Sequence, residues 1–349
     1  MVSRIQQRYR KLVFLTWFLT LDLIMFGAFV RLTDSGLGCP DWPGCYGKLS
    51  PLGAAHDIRQ AYEAMPFGAV SLPKAWIEMI HRYAGSLLGL LIIGIVFMAV
   101  RHRKLLGHKP ALAIVALFAV CLQGAFGAWT VTLQLMPIIV TSHLLGGMGL
   151  LALMTWLAAR EKNHVAVEPS ARRWRPWAAL GLMVLFVQIA LGGWVSTNYA
   201  ALACMDFPTC HGQWLPQMDV SSGFSLIRGL GELPSGETIS QHALTAIHWV
   251  HRSFALFVFL FLGFIGWKLR AYAGLRSPAH LLLALLLAQL LTGLTTIFFQ
   301  WPLLIAVLHN GGAAGLVLAC VTLLVRLHCS ADNQAALRAG RSEQMPAPR

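Results

Sequence analysis

Four histidines, His81, His143, His251 and His309, stand inside long apolar stretches of this 349-residue chain. Ionisable side chains in such stretches are rare, and those that occur face a bundle interior or a cavity. Two of the four are followed directly by arginine, in "EMIHR" (78–82) and "HWVHR" (248–252). One imidazole from each of two helices is the axial ligand set of a heme held in a four-helix bundle. Arg82 and Arg252 would then lie where propionates emerge, and Gly85, Gly89, Gly124, Gly127, Gly146, Gly147 and Gly312 would leave room for a flat macrocycle. Two other readings compete. Single intramembrane histidines also serve as interhelical hydrogen-bonding partners. Zinc needs a third convergent ligand, and only Glu78 offers one at that depth.

Glu78 and His248 occupy the same place, three residues before the paired histidine, and differ in chemistry. A carboxylate one helical turn from His81 can accept a proton or stabilise developing positive charge. It can equally pair with Arg82, its i,i+4 neighbour. His248 lies one turn from His251, and with His242 it complicates the second site. Cys39, Cys45, Cys204 and Cys210 fall in two long loops, as two Cys-x5-Cys pairs. The spacing suits one disulfide within each loop, a pairing across the loops is compatible too, and a redox role is the lesser reading.

The elements that position these residues are transmembrane. Hydrophobic residues make up 57% and charged residues 12% of the chain, which describes a polytopic membrane protein. A span needs ~20 apolar residues. Eight stretches qualify, at roughly 12–30, 76–99, 111–133, 138–159, 176–197, 241–266, 279–299 and 303–325. By these bounds His81, His143 and His309 lie five or six residues inside the outer end of their spans and His251 nearer ten. At 1.5 Å per residue that puts most of the imidazoles ~8–10 Å below the boundary. Asp22, midway along the first span, is expected to be a buried acid with a structural role.

The net charge of +13 does not call for nucleic acid. Of 27 Lys and Arg residues, 20 fall at 1–11, 101–109, 160–175, 268–276 and from Arg326 onward, all on one side if the spans alternate. The positive-inside rule makes that side the cytoplasm, with both termini in it. No cleavable signal peptide is expected, because the first apolar run is of full span length.

The chain also repeats itself. Gly27, Val30, Cys39, Pro43, Cys45 and Gly47 recur 165 positions later, and Gln123, Gly127, Thr130, His143 and Gly146 recur 166 positions later. His81 and His251 are 170 apart. The expectation is an all-α membrane protein with eight transmembrane helices, arranged as two tandem pseudo-symmetric four-helix bundles. Residues 1–165 form one half, 166–330 the other and 331–349 a cytoplasmic tail. Four spans separate equivalent positions, so the repeat is parallel and both sites face the same side. A diheme b-type electron-transfer cytochrome is the first rival function, although such a wire wants hemes near opposite faces. A transporter is the second.

The segment "RLTDSGLGCPDWPGCYG" (31–47), the Glu-x-x-His-Arg motif at 78–82, the duplication and the span count together resemble the heme A synthase family, across essentially all eight spans. The resemblance implies oxidation of the C8 methyl of heme O to a formyl group, through a hydroxymethyl heme, for cytochrome oxidase assembly in a bacterial-type inner membrane. It implies that His81 and His143 hold the substrate heme, His251 and His309 a permanent heme b, and that Glu78 is the catalytic acid. The expected partners are membrane lipid, a protoheme farnesyltransferase supplying heme O, and an unidentified electron carrier.

Overall fold

A computed structural model of the chain describes residues 4–161 and 167–342, with side chains described as far as residue 328. The expected boundary between halves at 165/166, the Cys329 side chain and residues 343–349 of the expected tail lie outside the described residues. All the long elements are α-helices, as they must be in lipid, where each backbone group needs a partner within its own segment. Among the described residues eight helices are long and apolar enough to cross a membrane. They are α1 (Arg4–Leu32), α2 (Leu72–Arg101), α3 (Ala111–Thr132), α4 (Pro137–Arg160), α5 (Arg175–Thr197), α6 (Gln241–Leu269), α7 (Arg276–Phe298) and α8 (Leu303–Ser342). Helix α8 runs on well past the apolar stretch that ends near residue 325.

The entry points of the histidine helices are fixed locally. Ser71 caps α2 and Ser240 caps α6, each side chain accepting a backbone amide of the first turn, which satisfies donors otherwise left open. Measured from these caps His251 is only one residue deeper than His81. The helices begin at Leu72 and Gln241, so the two imidazoles lie nine and ten residues in. The greater depth expected for His251 came from placing the start of α2 too late.

Helices α3 and α4 are joined by a tight turn in which Gln134 and Leu135 both take positive φ (49° and 56°), and α7 and α8 by the same turn at Gln300 and Trp301 (53° and 68°). Left-handed backbone at two successive non-glycine residues is sparsely populated. Each turn is closed by a 2.8 Å bond, from Leu135 N–H to the Thr130 carbonyl and from Trp301 N–H to that of Thr296. His143 and His309 consequently sit six residues into helices that start at Pro137 and Leu303.

Within the first half α1 packs on α2 and α4, α2 on α3 and α3 on α4, and α5 to α8 repeat the pattern. Helices α1, α4, α5 and α8 meet in the middle. At the end of the bundle that carries the disulfide loops Arg31 donates to the Ser196 carbonyl at 2.6 Å and pairs with Asp34, while the Tyr199 hydroxyl donates to Asp34 at 2.7 Å. Arg31 and Ser196, like Asp34 and Tyr199, are equivalent positions of the repeat, and here they meet across its axis. Two apolar cores fill the end of the bundle away from the disulfide loops, one around Tyr9, Ile92 and Leu157 and one around Leu262, Leu282 and Val317.

Asp22 corrects an expectation. It is exposed on the outward face of α1, in line with Leu15 and Phe18, while Val13, Thr16 and Thr20 bury the opposite face. The helix phase, not the hydropathy of the segment, decides this. Its equivalent on α5 is Val187, also exposed.

Close approach governs Gly38, where an added Cβ would lie 2.5 Å from the Lys74 carbonyl carbon and 2.6 Å from Ala75 N. Both are backbone atoms that cannot rotate away. Gly38→Ala should lift the first outer loop from α2 at a cost of ~1–3 kcal/mol, lowering the thermal denaturation midpoint with the disulfides intact. Gly149→Ala, where a Cβ meets nothing within 4 Å, should leave it unchanged. Equal midpoints for the two variants would contradict the packing of this loop.

Candidate heme sites

Each outer loop is closed by its own disulfide, Cys39–Cys45 and Cys204–Cys210, with Cα separations of 4.9 Å in both. Inside each ring an aspartate builds the turn. Asp41 accepts from Tyr46 N–H (2.6 Å) and Gly47 N–H (2.7 Å). Asp206 accepts from His211 N–H (2.8 Å) and Gly212 N–H (2.9 Å). The repeat places Asp41 over Asp206, the one signal by which the pair was findable. The Thr209 hydroxyl does most to hold the Asp206 carboxyl well below the usual range, and the Gly212 and His211 amides add to it, against a desolvation smaller than the Thr209 contribution and larger than that of either amide.

The loops are clamped to the histidine helices from below. Glu78 Oε2 accepts Cys39 N–H at 2.9 Å. Its Oε1 pairs with Arg82, so the ion pair weighed as the alternative role for this acid is present. Arg82 then donates to the carbonyls of Asp41 (2.9 Å), Pro43 (3.2 Å) and Gly44 (2.6 Å). In the second half His248 Nδ1 accepts Cys204 N–H at 3.2 Å. Arg252 Nη2 donates to Pro208 and Thr209 carbonyls at 3.3 and 3.1 Å. Glu78 and His248 thus perform one shared task, which explains why a polar residue recurs there although its type changes. His242, by contrast, is exposed at the start of α6.

Arg82 and Arg252 differ in what they have left. The hydrogen-bonding nitrogens of Arg82 serve the loop and Glu78, whereas Arg252 Nη1 is buried without a partner. A buried guanidinium nitrogen lacking an acceptor is costly, and an anionic group such as a propionate would satisfy it.

The four imidazoles form two sets. His81 and His143 lie within electrostatic reach of one another, and so do His251 and His309. Matching glycines back them. A Cβ on Gly27 or Gly192 would lie 3.0 Å from Cε1 of His81 or His251, and one on Gly127 or Gly293 would lie 3.4 Å from Cε1 of His143 or His309. Among the described residues no three His, Cys, Asp or Glu side chains converge as a metal site. Each pair therefore stands as a two-ligand set, the number an axially ligated heme takes.

The other glycines divide. Cβ atoms at Gly85, Gly89 and Gly124 would meet nothing within 4 Å, so open space adjoins them. Gly146 and Gly147 instead accommodate the Gln123 side chain, and Gly312 that of Gln289. Those three do not widen the space for a macrocycle, contrary to expectation. Gln123 uses its position to donate to the His143 carbonyl at 2.6 Å.

Fold and site together define a polytopic α-helical membrane protein with one histidine pair in each half, beneath a disulfide-closed loop. Residues 10–321 match the COX15-CtaA family, described as cytochrome oxidase assembly protein, and the chain belongs to that family. It is 41% identical over 319 residues to the heme A synthase of Shewanella oneidensis, covering 88% of this chain and 95% of that one. It is 30% identical over 339 residues to the heme A synthase of Sphingopyxis alaskensis, covering 88% and 89%.

Two predictions follow from the clamps. Glu78→Ala removes the acceptor of Cys39 N–H and strands a partly buried guanidinium, at a cost of ~1–3 kcal/mol. Hydrogen exchange at Cys39 should accelerate while that at Cys204 does not; parallel changes in both loops would refute the local clamp. An acid whose folded pKa is depressed stabilises most fully above its unfolded value, ~3.9 for aspartate. The protection factors of the His211 and Gly212 amides should therefore be flat from pH 7 to 5 and drop only below ~4. Loss between pH 7 and 5 would contradict it.

Proposed function

We propose that the protein is a heme A synthase, an oxidoreductase that converts the C8 methyl of heme O to the formyl group of heme A for cytochrome oxidase assembly. Family membership carries the class of reaction, and two histidine pairs beneath loops of one design carry the reading of two hemes. Going from methyl to formyl adds one oxygen atom, balanced with water as R–CH3 + H2O → R–CHO + 4 H+ + 4 e−, so the substrate's four electrons pass to an external acceptor. Heme O would arrive from a protoheme farnesyltransferase, since its tail keeps it out of water. Both termini lie in the cytoplasm, given the placement of Lys and Arg, and both heme sites open toward the disulfide-permissive outer face.

The substrate heme is assigned to His81 and His143, and a resident heme b to His251 and His309. The support is a difference in room between equivalent positions. On the faces of α2 and α3 that continue inward from the first site stand Gly85, Gly89 and Gly124, beside open space. Their counterparts in the second half are Ala255, Phe259 and Leu290. A fifteen-carbon isoprenoid tail needs such a channel and heme b does not. The resident heme would supply an iron centre able to exchange single electrons.

Glu78 is the carboxylate nearest His81 along α2. Arg82 and Cys39 N–H each engage one of its oxygens, and every carboxylate oxygen keeps a second lone pair. Through it Glu78 would accept a proton released as the methyl is oxidised, while the Arg82 pair holds it in place. Arg252, with Nη1 free, is the residue to receive a propionate of the resident heme.

Gly89→Phe imports the second-half residue at that position and should block heme O while sparing heme b. The extracted hemes, separated by chromatography, should contain heme b and little heme O or heme A. Glu78→Gln should retain both hemes and accumulate unconverted heme O. Wild-type heme A from Gly89→Phe would reject the tail channel, and wild-type heme A from Glu78→Gln would reject the acid's role.

A further inference from the structure

The four imidazoles are not held alike. His309 Nδ1 lies 2.9 Å from the Thr292 hydroxyl, which itself donates to the Ala288 carbonyl at 2.9 Å and so accepts from the ring. The Gln188 amide lies 3.1 Å from His251 Nδ1. In the first half Nδ1 of His81 and Nδ1 of His143 are buried without any partner. The repeat accounts for this. At the place of Gln188 the first half has Leu23, and at the place of Thr292 it has Phe126. The registers are secure, because Gly27 and Gly192, and Gly127 and Gly293, touch their histidines at equal distances. One cradle occurs twice, and only the second copy carries the hydrogen-bonding groups.

The consequence is chemical. An imidazole that binds iron through Nε2 carries its proton on Nδ1, and a partner for that N–H fixes the ring and strengthens its donation to the metal. Thr292 provides this partner directly. Gln188 holds the His251 ring from its own side, its Nε2 lying 3.1 Å from Nδ1 and donating to the His251 carbonyl at 3.2 Å; accepting the Nδ1 proton requires the amide to turn so that Oε1, buried without a partner, faces the ring. In the first half, iron binding leaves two buried N–H groups without acceptors, which weakens the site.

We propose that Thr292 and Gln188 are positioning residues that keep the second-half heme resident, and that Leu23 and Phe126 leave the first-half histidines untethered so that their heme exchanges. This rests on the assignment of the resident heme to His251 and His309. Retention and release then differ without any difference in ligand identity.

The test uses the full-length protein with both hemes bound, following the transfer of each heme to excess apomyoglobin and the midpoint potential of the heme that stays. Thr292→Val, which keeps the shape and removes the acceptor, should release heme b ~10–100-fold faster and shift its potential. Thr292→Ser should restore both values, a rescue that a packing role would not give. Reciprocally, Phe126→Thr should slow release of the first-half heme. Wild-type release and potential in Thr292→Val, together with wild-type release in Phe126→Thr, would overturn the proposal. Failure of the underlying assignment reads differently: His251→Ala would then keep heme b and lose the farnesylated heme.

Discussion

The arrangement depends on one hydrogen bond made twice. A polar side chain one turn outward from the α2 or α6 histidine accepts the backbone N–H of the first cysteine in the loop above it. Glu78 does so for Cys39 and His248 for Cys204. Of the ties between the helix end and the disulfide-closed loop, this is the one made to the disulfide ring's own first backbone amide. The buried acceptor maintains it, because breaking the bond would leave a buried amide and a buried polar side chain unpaired. The arginine four residues on completes the clamp by gathering loop carbonyls. Histidine, loop and arginine are therefore held together, and each histidine pair has a fixed roof.

On this common frame the halves have diverged by substitution at a few positions. Where the second half has Phe259 and Leu290, the first has Gly89 and Gly124; where the second has Gln188 and Thr292, the first has Leu23 and Phe126. The first set changes room, the second the hydrogen bonding of the ligands, and both point the same way. A roomy site with loosely held ligands suits a molecule that enters, reacts and leaves, and a filled site with fixed ligands suits one that stays. Duplication followed by unequal pruning gives a protein an internal reference, since each half reports what the other has changed.

Much of this was readable from the sequence. Eight apolar stretches, the 165–170-residue repeat and the two Cys-x5-Cys loops are dictated by strong local physics, and the helices and disulfides follow them. What escaped notice depends on neighbours. Asp22 looked buried because its segment is apolar, but exposure follows the helix face, which only packing against α2, α4 and α8 decides. The Glu78 and Arg82 pair was visible as an i,i+4 spacing, whereas the bond to Cys39 N–H crosses a loop that no periodicity describes. Asp41 and Asp206 read as ordinary loop acids, and Gln188 and Thr292 as polar residues near small ones, because their partners are set by tertiary contacts that no local pattern encodes.

The central claim is that two unequal heme sites share one frame. The most direct measurement is mass analysis of hemes extracted from purified His81→Ala and His251→Ala proteins, made in cells that also produce heme O. The account predicts that His81→Ala retains heme b and loses heme O and heme A, and that His251→Ala loses heme b first. Loss of the same heme from both variants, or retention of only heme b at two per chain in the unsubstituted protein, would contradict it.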